Sequence, residues 1–144
     1  MNQAVRMPVH INFSSEINDG EDKVDFSFQT IGQYYIMNHK SYLMFEEKLE
    51  DQAEVNTLIR WSEEEAWIKR SGSVNMRVLF KLKQETSGIY ETPQVKLEVK
   101  AHTDRLMHSW DERDRSGLFQ LKYTLFMQGE SIGTYSLEIQ FKEE

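Results

Sequence analysis

Apolar residues recur at every second position along most of the chain, the period of strands with one face buried. Val5, Met7, Val9, Ile11 and Phe13 occupy odd positions, with Arg6, His10, Asn12 and Ser14 between them. After Asn18-Asp19-Gly20-Glu21, whose Asp-Gly pair tolerates the positive φ of a tight hairpin, the alternation resumes at Val24, Phe26 and Phe28. Val74, Met76, Val78, Phe80 and Leu82 form a third such series, and Val95, Leu97, Val99 and Ala101 a fourth. The cleanest pair lies near the C-terminus. There Phe119, Leu121, Tyr123, Leu125 and Met127 lead through Gln128-Gly129-Glu130 into Tyr135, Leu137, Ile139 and Phe141.

Shorter strands are predicted over 33–38, 41–47, 55–62 and 65–71, the first two joined at Asn38-His39-Lys40 and the last two at Ser62-Glu63-Glu64-Glu65. Phe45 and Leu49, four apart, would allow a helical turn within 45–54. Leu106, Met107 and Trp110 would allow another ahead of the charged run 111–115, although β periodicity runs into both. Pro93 fits a strand entrance, and Pro8 implies an edge position or a bulge. No Gly/Ser linker or repeat divides the chain, so one domain over 1–144 is expected. The fold class that follows is all-β. An antiparallel meander of about 8–10 strands is expected to close into a barrel, because an open sheet of that size would leave long exposed edges.

Several short segments follow one another along nearly the whole chain: Gly32 with Tyr34 and Tyr35; Tyr42-Leu43-Met44-Phe45-Glu46-Glu47; Thr57 and Ile59; Ile68-Lys69-Arg70-Ser71-Gly72; Tyr90; and Gly117-Leu118 leading into Leu121-Lys122-Tyr123. In that order they resemble the YwiB-like family of uncharacterised bacterial proteins. The resemblance implies a calycin-like, lipocalin-type β-barrel and a cytoplasmic protein, and it brings no catalytic residues. The Gly-x-Trp signature of lipocalins is absent from the first strand, since the tryptophans are Trp61, Trp67 and Trp110. Ligand binding inside the barrel would therefore carry over by analogy of fold alone.

Composition narrows the functional classes. With 17 Lys+Arg against 24 Asp+Glu the formal net charge is −7, which argues against a dedicated nucleic-acid or anionic-membrane binder. Residues 1–72 hold 7 basic and 13 acidic side chains, and 73–144 hold 10 and 11, so the excess acid lies in the first half. There is no cysteine, hence no disulfide, thiolate metal site or cysteine nucleophile. No apolar run reaches the ~18 residues of a spanning helix, and 1–13 has no stretch of signal-peptide length. The four histidines, His10, His39, His102 and His108, lack the spacing of a metal set, and no nucleophile elbow, phosphate loop or dinucleotide fingerprint occurs. No metal, cofactor or catalytic residue is expected, and a non-enzymatic protein is the expectation that follows.

Three constellations remain. Arg70 shares the parity of Ala66 and Ile68, so if those face the interior its guanidinium does too and needs a carboxylate, Glu46 or Glu47. It would then anchor a ligand, or else merely close one end of the barrel in an ion pair. Tyr34, Tyr35, Tyr42, Trp61, Tyr90 and Tyr123 are candidates to line the same cavity, or to fill the core. Arg77, Lys81 and Lys83 with Lys96 and Lys100 make a basic outer stripe, interrupted by Glu85 and Glu98 and without interleaved aromatics. The leading expectation is a binding protein for a small apolar or amphipathic molecule, with Arg70, Glu46, Tyr35, Tyr42, Trp61, Tyr90 and Tyr123 in the cavity. The alternative is an interaction module or homodimer working through Leu79, Leu118, Phe126 and Trp67 on the outer surface.

Overall fold

In a computed structural model of the chain, residues 5–48 and 53–144 are described, and every regular element among them is a strand. Ten strands follow in order: β1 Met7–Asn18, β2 Lys23–Met37, β3 Lys40–Lys48, β4 Glu54–Trp61, β5 Glu65–Gly72, β6 Asn75–Lys81, β7 Glu85–Glu91, β8 Lys96–Asp111, β9 Ser116–Met127 and β10 Glu130–Glu143. Each pairs antiparallel with the next, and β1 pairs with β10, so the meander closes into a barrel. The fold class read from the alternation holds.

The count of ten is reached by different strands from those expected. Segments 24–28 and 33–38 are one strand, β2, whose inward parity runs unbroken through Thr30 and Gly32. Those two residues are too small or polar to register as an apolar repeat. Glu85–Glu91 is a strand the pattern did not announce, because its inward positions are Thr86, Gly88 and Tyr90. The helical turn considered around 106–110 is instead the second half of β8. A bulge between Thr103 and Arg105 shifts the register, so that Thr103 and Leu106 both face inward and the two-residue period breaks. Of the turn considered within 45–54, Phe45–Lys48 belongs to β3 and 49–52 lie outside the described residues. Pro8 sits at neither an edge nor a bulge. It is the second residue of β1, and its carbonyl accepts from the amide of Glu144, so its missing N–H falls where β10 runs out.

Two tight turns explain the hairpins flanking the long strands. Asn38 and His39 both take positive φ between Met37 and Lys40, as do Gln128 and Gly129 between Met127 and Glu130. This is the two-residue geometry that follows strand twist.

Inward residues fill the middle and one end of the barrel. Val9, Ile11, Leu43, Ile59, Val78, Phe80, Phe119, Leu121 and Ile139 have almost no exposure. Each large one stabilises the fold by about 2 kcal/mol relative to exposure. At that end Tyr34 stacks on Trp110 at 5.0 Å and lies 4.8 Å from Phe141, while Trp61 packs 4.8 Å from Phe119. At the opposite end, called the mouth, the inward side chains Phe28, Arg70, Met76, Tyr90 and Met127 are half exposed.

Candidate functional site

At that mouth the register brings together residues far apart in sequence. Arg70 on β5 pairs with Met76 on β6, Met76 with Tyr90 on β7, and Tyr90 with Leu97 on β8. On the facing strands Tyr123 is opposite both Thr103 and Tyr135. The rings of Tyr123 and Tyr135 stack in parallel at 5.2 Å. Phe80 closes the floor 4.6 Å from Tyr123, and Phe13 and Phe28, stacked at 4.6 Å, continue the apolar wall. Phe26 stands at the rim, half exposed.

Arg70 faces inward, as its parity with buried Ala66 and Ile68 requires. Its carboxylate partner is Glu47, not Glu46. The Arg70 Nε and Nη2 groups lie 3.2 and 3.1 Å from Glu47 Oε2, and the Thr57 hydroxyl donates to the same oxygen at 2.7 Å. Glu47 is 8% exposed and Arg70 28%, so the carboxylate is held by two partners inside the wall while the guanidinium reaches toward water. Glu46 lies on the outer face, exposed. The parity of Leu43, Phe45 and Glu47 carried this distinction.

The tyrosines divide among three places. Tyr90 and Tyr123 face the mouth. Trp61 belongs to the plug at the other end with Tyr34, whose hydroxyl shares a hydrogen bond with Ser41 at 3.2 Å. Tyr35 and Tyr42 are outside the barrel altogether, stacked on each other at 4.8 Å with the Arg6 guanidinium 5.3 Å above Tyr35. Adjacent tyrosines on one strand must point opposite ways, so Tyr34 inward places Tyr35 outward.

Two residues beside this cluster, Tyr135 at its edge and Thr103 beneath it, were not singled out from the sequence. Tyr135 completes the tyrosine cluster, a role its place in the β10 alternation could have suggested. Thr103 is fully buried, and its hydroxyl is the one buried side-chain polar atom without a hydrogen-bond partner among the described residues. No sequence signal marks it.

Electrostatics fit an interior setting. Burial first, and the neighbouring Tyr135 second, push the Tyr123 phenol well above the usual tyrosine range, against a smaller lowering by the Arg70 charge. Burial, then Tyr90, raises Tyr135. Burial also raises Tyr34, partly offset by its bond to Ser41. No hydrogen bond contributes at Tyr123 or Tyr135, in contrast to Tyr34. This end therefore presents two phenols raised by burial, one guanidinium balanced by one carboxylate, and apolar walls.

On the outer face of β5 to β8, Trp67 lines an open depression with Arg77, Ile89, Lys96 and Glu98. The Arg60 guanidinium lies 4.9 Å over the Trp67 ring. The basic stripe thus does have an aromatic neighbour, supplied by a strand on which sequence distance hid it. Lys100 is drawn to Glu85 at 3.7 Å. Leu79 adjoins Trp67, whereas Leu118 lies opposite Gln140 and Phe126 opposite Lys100, so the four outer apolar residues do not form one patch. Among the described residues no group of three or more His, Asp or Glu is placed to hold a metal ion, and no helix is long and apolar enough to cross a membrane.

Residues 11–139 match the model of a family described as Domain of unknown function (DUF1934), and the chain belongs to that family. It is 27% identical over 135 residues to a protein of Bacillus subtilis (strain 168) named "Uncharacterized beta-barrel protein YwiB", covering 94% of this chain and 93% of that one. The crystal structure of the ywiB protein from Bacillus subtilis superposes with a TM-score of 0.84 at 25% identity, covering 96% of this chain and 93% of that one. The resemblance read from the sequence is therefore correct.

Proposed function

We propose that this DUF1934 family member is a non-enzymatic binding protein. Its ligand would be a small amphipathic molecule that enters the barrel at the Arg70 end. One observation carries the reading: a buried hydroxyl without a hydrogen-bond partner lies beside the tyrosine pair in the interior. Thr103 Oγ1 is buried and unpartnered, and Tyr123, directly opposite it, stacks on Tyr135 with no bond to lower either phenol. An orphaned buried hydroxyl costs about 1–3 kcal/mol, so a group that meets it gains most of that back. The ligand's apolar body would lie against Phe28, Met76 and Met127, and its head would accept from the phenols and from Arg70. The cysteine-free composition supports a cytoplasmic setting.

Native mass spectrometry of the protein purified from its own host tests this directly. The expected result is an adduct of fixed mass that Thr103→Val and Tyr123→Phe deplete while Tyr42→Phe, on the outside, does not. An adduct-free spectrum, or an adduct retained equally by all three variants, overturns the reading.

A further inference from the structure

The barrel is closed in strand order but not along its whole length. β2 pairs with β1 from Lys23 to Tyr34, whereas it pairs with β3 only from Gln33 to Met37. Below Gln33 the two strands part. The fork lies at Gly32, where any Cβ would collide with the Met44 carbonyl and Ile11, so only glycine lets the strands come together there before diverging. From Lys23 to Ile31 one edge of β2 faces no strand, and no backbone hydrogen bond covers it among the described residues.

Which groups are left open follows from the turn. Met37 and Lys40 close a two-residue hairpin, so they form a hydrogen-bonded pair, and the odd residues of β2 direct both N–H and C=O toward β3. Lys23, Asp25, Ser27, Gln29 and Ile31 therefore present their donors and acceptors at the free edge, while the even residues remain committed to β1. The same strand carries much of the exposed apolar surface: Val24 at 58%, Phe26 at 49% and Ile31 at 56%, with Ile36 and Met37 beyond. Edges of this kind are usually blunted by proline, bulges or inward charge. Here β2 has no proline, its register with β1 is continuous, and Lys23 is its one cation below Gln33.

We propose that this edge is the interface of a homodimer in which β2 pairs antiparallel with β2 of a second copy, centred on Ser27. This inference is independent of ligand binding at the mouth. The strand is self-complementary in that register. Ser27 meets itself, Asp25 meets Gln29, Lys23 meets Ile31, and on the alternate face Phe26 meets Phe28 and Val24 meets Thr30. All five odd residues pair, giving about ten backbone hydrogen bonds across the interface. No like charges face each other. A shift that centres the pairing on Asp25 sets two carboxylates opposite and leaves edge groups unused, which disfavours it.

Sedimentation equilibrium of the full chain is expected to give twice the monomer mass of 17.1 kDa. Ser27→Pro removes an N–H aimed only at the free edge, so it should return the mass to the monomer without altering the β-sheet circular dichroism. Because the chain has no cysteine, Ser27→Cys is a clean second probe that does not depend on the proline variant folding. Under mild oxidation it should cross-link to a covalent dimer, and Ile36→Cys should not. A monomer at every concentration overturns the proposal and leaves the edge to some other extended chain. A dimer that survives Ser27→Pro, or that cross-links through Ile36→Cys rather than Ser27→Cys, overturns it equally.

Discussion

Removing the Arg70 guanidinium should expose how the mouth is held together. In Arg70→Met the Glu47 carboxylate keeps a single partner, the Thr57 hydroxyl at 2.7 Å, while remaining 8% exposed. Breaking a buried pair by deleting one member costs about 3–5 kcal/mol where both ions are dry. Arg70 is 28% exposed, so water at the mouth can solvate part of what is lost, and the expected cost falls to about 2–3 kcal/mol. For a domain of this size that is a drop in Tm of roughly 4–12 °C. Glu47→Leu alone strands the guanidinium but leaves it free to turn outward, so it should cost less, about 1 kcal/mol. The double variant Arg70→Met/Glu47→Leu should recover most of the loss, because an apolar pair of similar bulk buries no charge. Urea unfolding followed by tryptophan fluorescence measures all three. Additive losses in the double variant, or an Arg70→Met cost below about 0.5 kcal/mol, would refute the coupling and leave Arg70 as a solvated rim residue.

Two further outcomes follow from the interior. Gly117 faces the Phe141 ring, and a Cβ there would overlap it, so Gly117→Ala should destabilise by about 1–3 kcal/mol; adding Phe141→Leu should restore part of that in the same denaturation assay, and no rescue would refute the clash. Burial raises the phenols of Tyr34, Tyr123 and Tyr135, so above pH 10 the unfolded chain binds fewer protons than the folded one, and stability present below that pH must fall as pH rises. Tyr123 alone can contribute a slope of at most about 1.4 kcal/mol per pH unit, and six tyrosines titrating together near pH 10 by ultraviolet absorbance, in protein still folded, would refute it.

Much of this was legible because a barrel wall obeys one rule. Strands one residue thick around a core alternate strictly, and Phe119 to Met127 against Tyr135 to Phe141 display that without interruption. Legibility failed where the inward residue was not apolar. Thr86 and Gly88 concealed β7, Thr30 and Gly32 concealed the continuity of β2, and the bulge before Leu106 inverted the parity of β8. The site failed in the same way for a different reason. Tyr35, Tyr42 and Trp61 were grouped with Tyr90 and Tyr123 by chemical type, whereas position is set by parity and height along the barrel. Parity alone separates Glu47 from Glu46 and Tyr34 from Tyr35. Height along the barrel, which separates Trp61 from Tyr90, depends on register between strands and is invisible to one strand's pattern. Thr103 is less accessible still, since an unmet hydroxyl is a property of its surroundings.

The ladder between β1 and β10 has a kinetic meaning. Every other strand ladder joins strands consecutive in the chain, so each is a local pairing. Val9 and Glu143, by contrast, are partners from opposite ends of the sequence. Their pairing closes a loop that contains the whole barrel, and its entropic cost is repaid only when the ladder zips. This seam should therefore be the last step of folding and the first to open. The hydrogen bond from Glu144 to Pro8 holds the residue just after β10 beside the start of β1, within reach of a short linker. A circular permutant joined there and reopened at the Gly129 turn would make the slow pairing local, changing the order of folding while keeping the barrel.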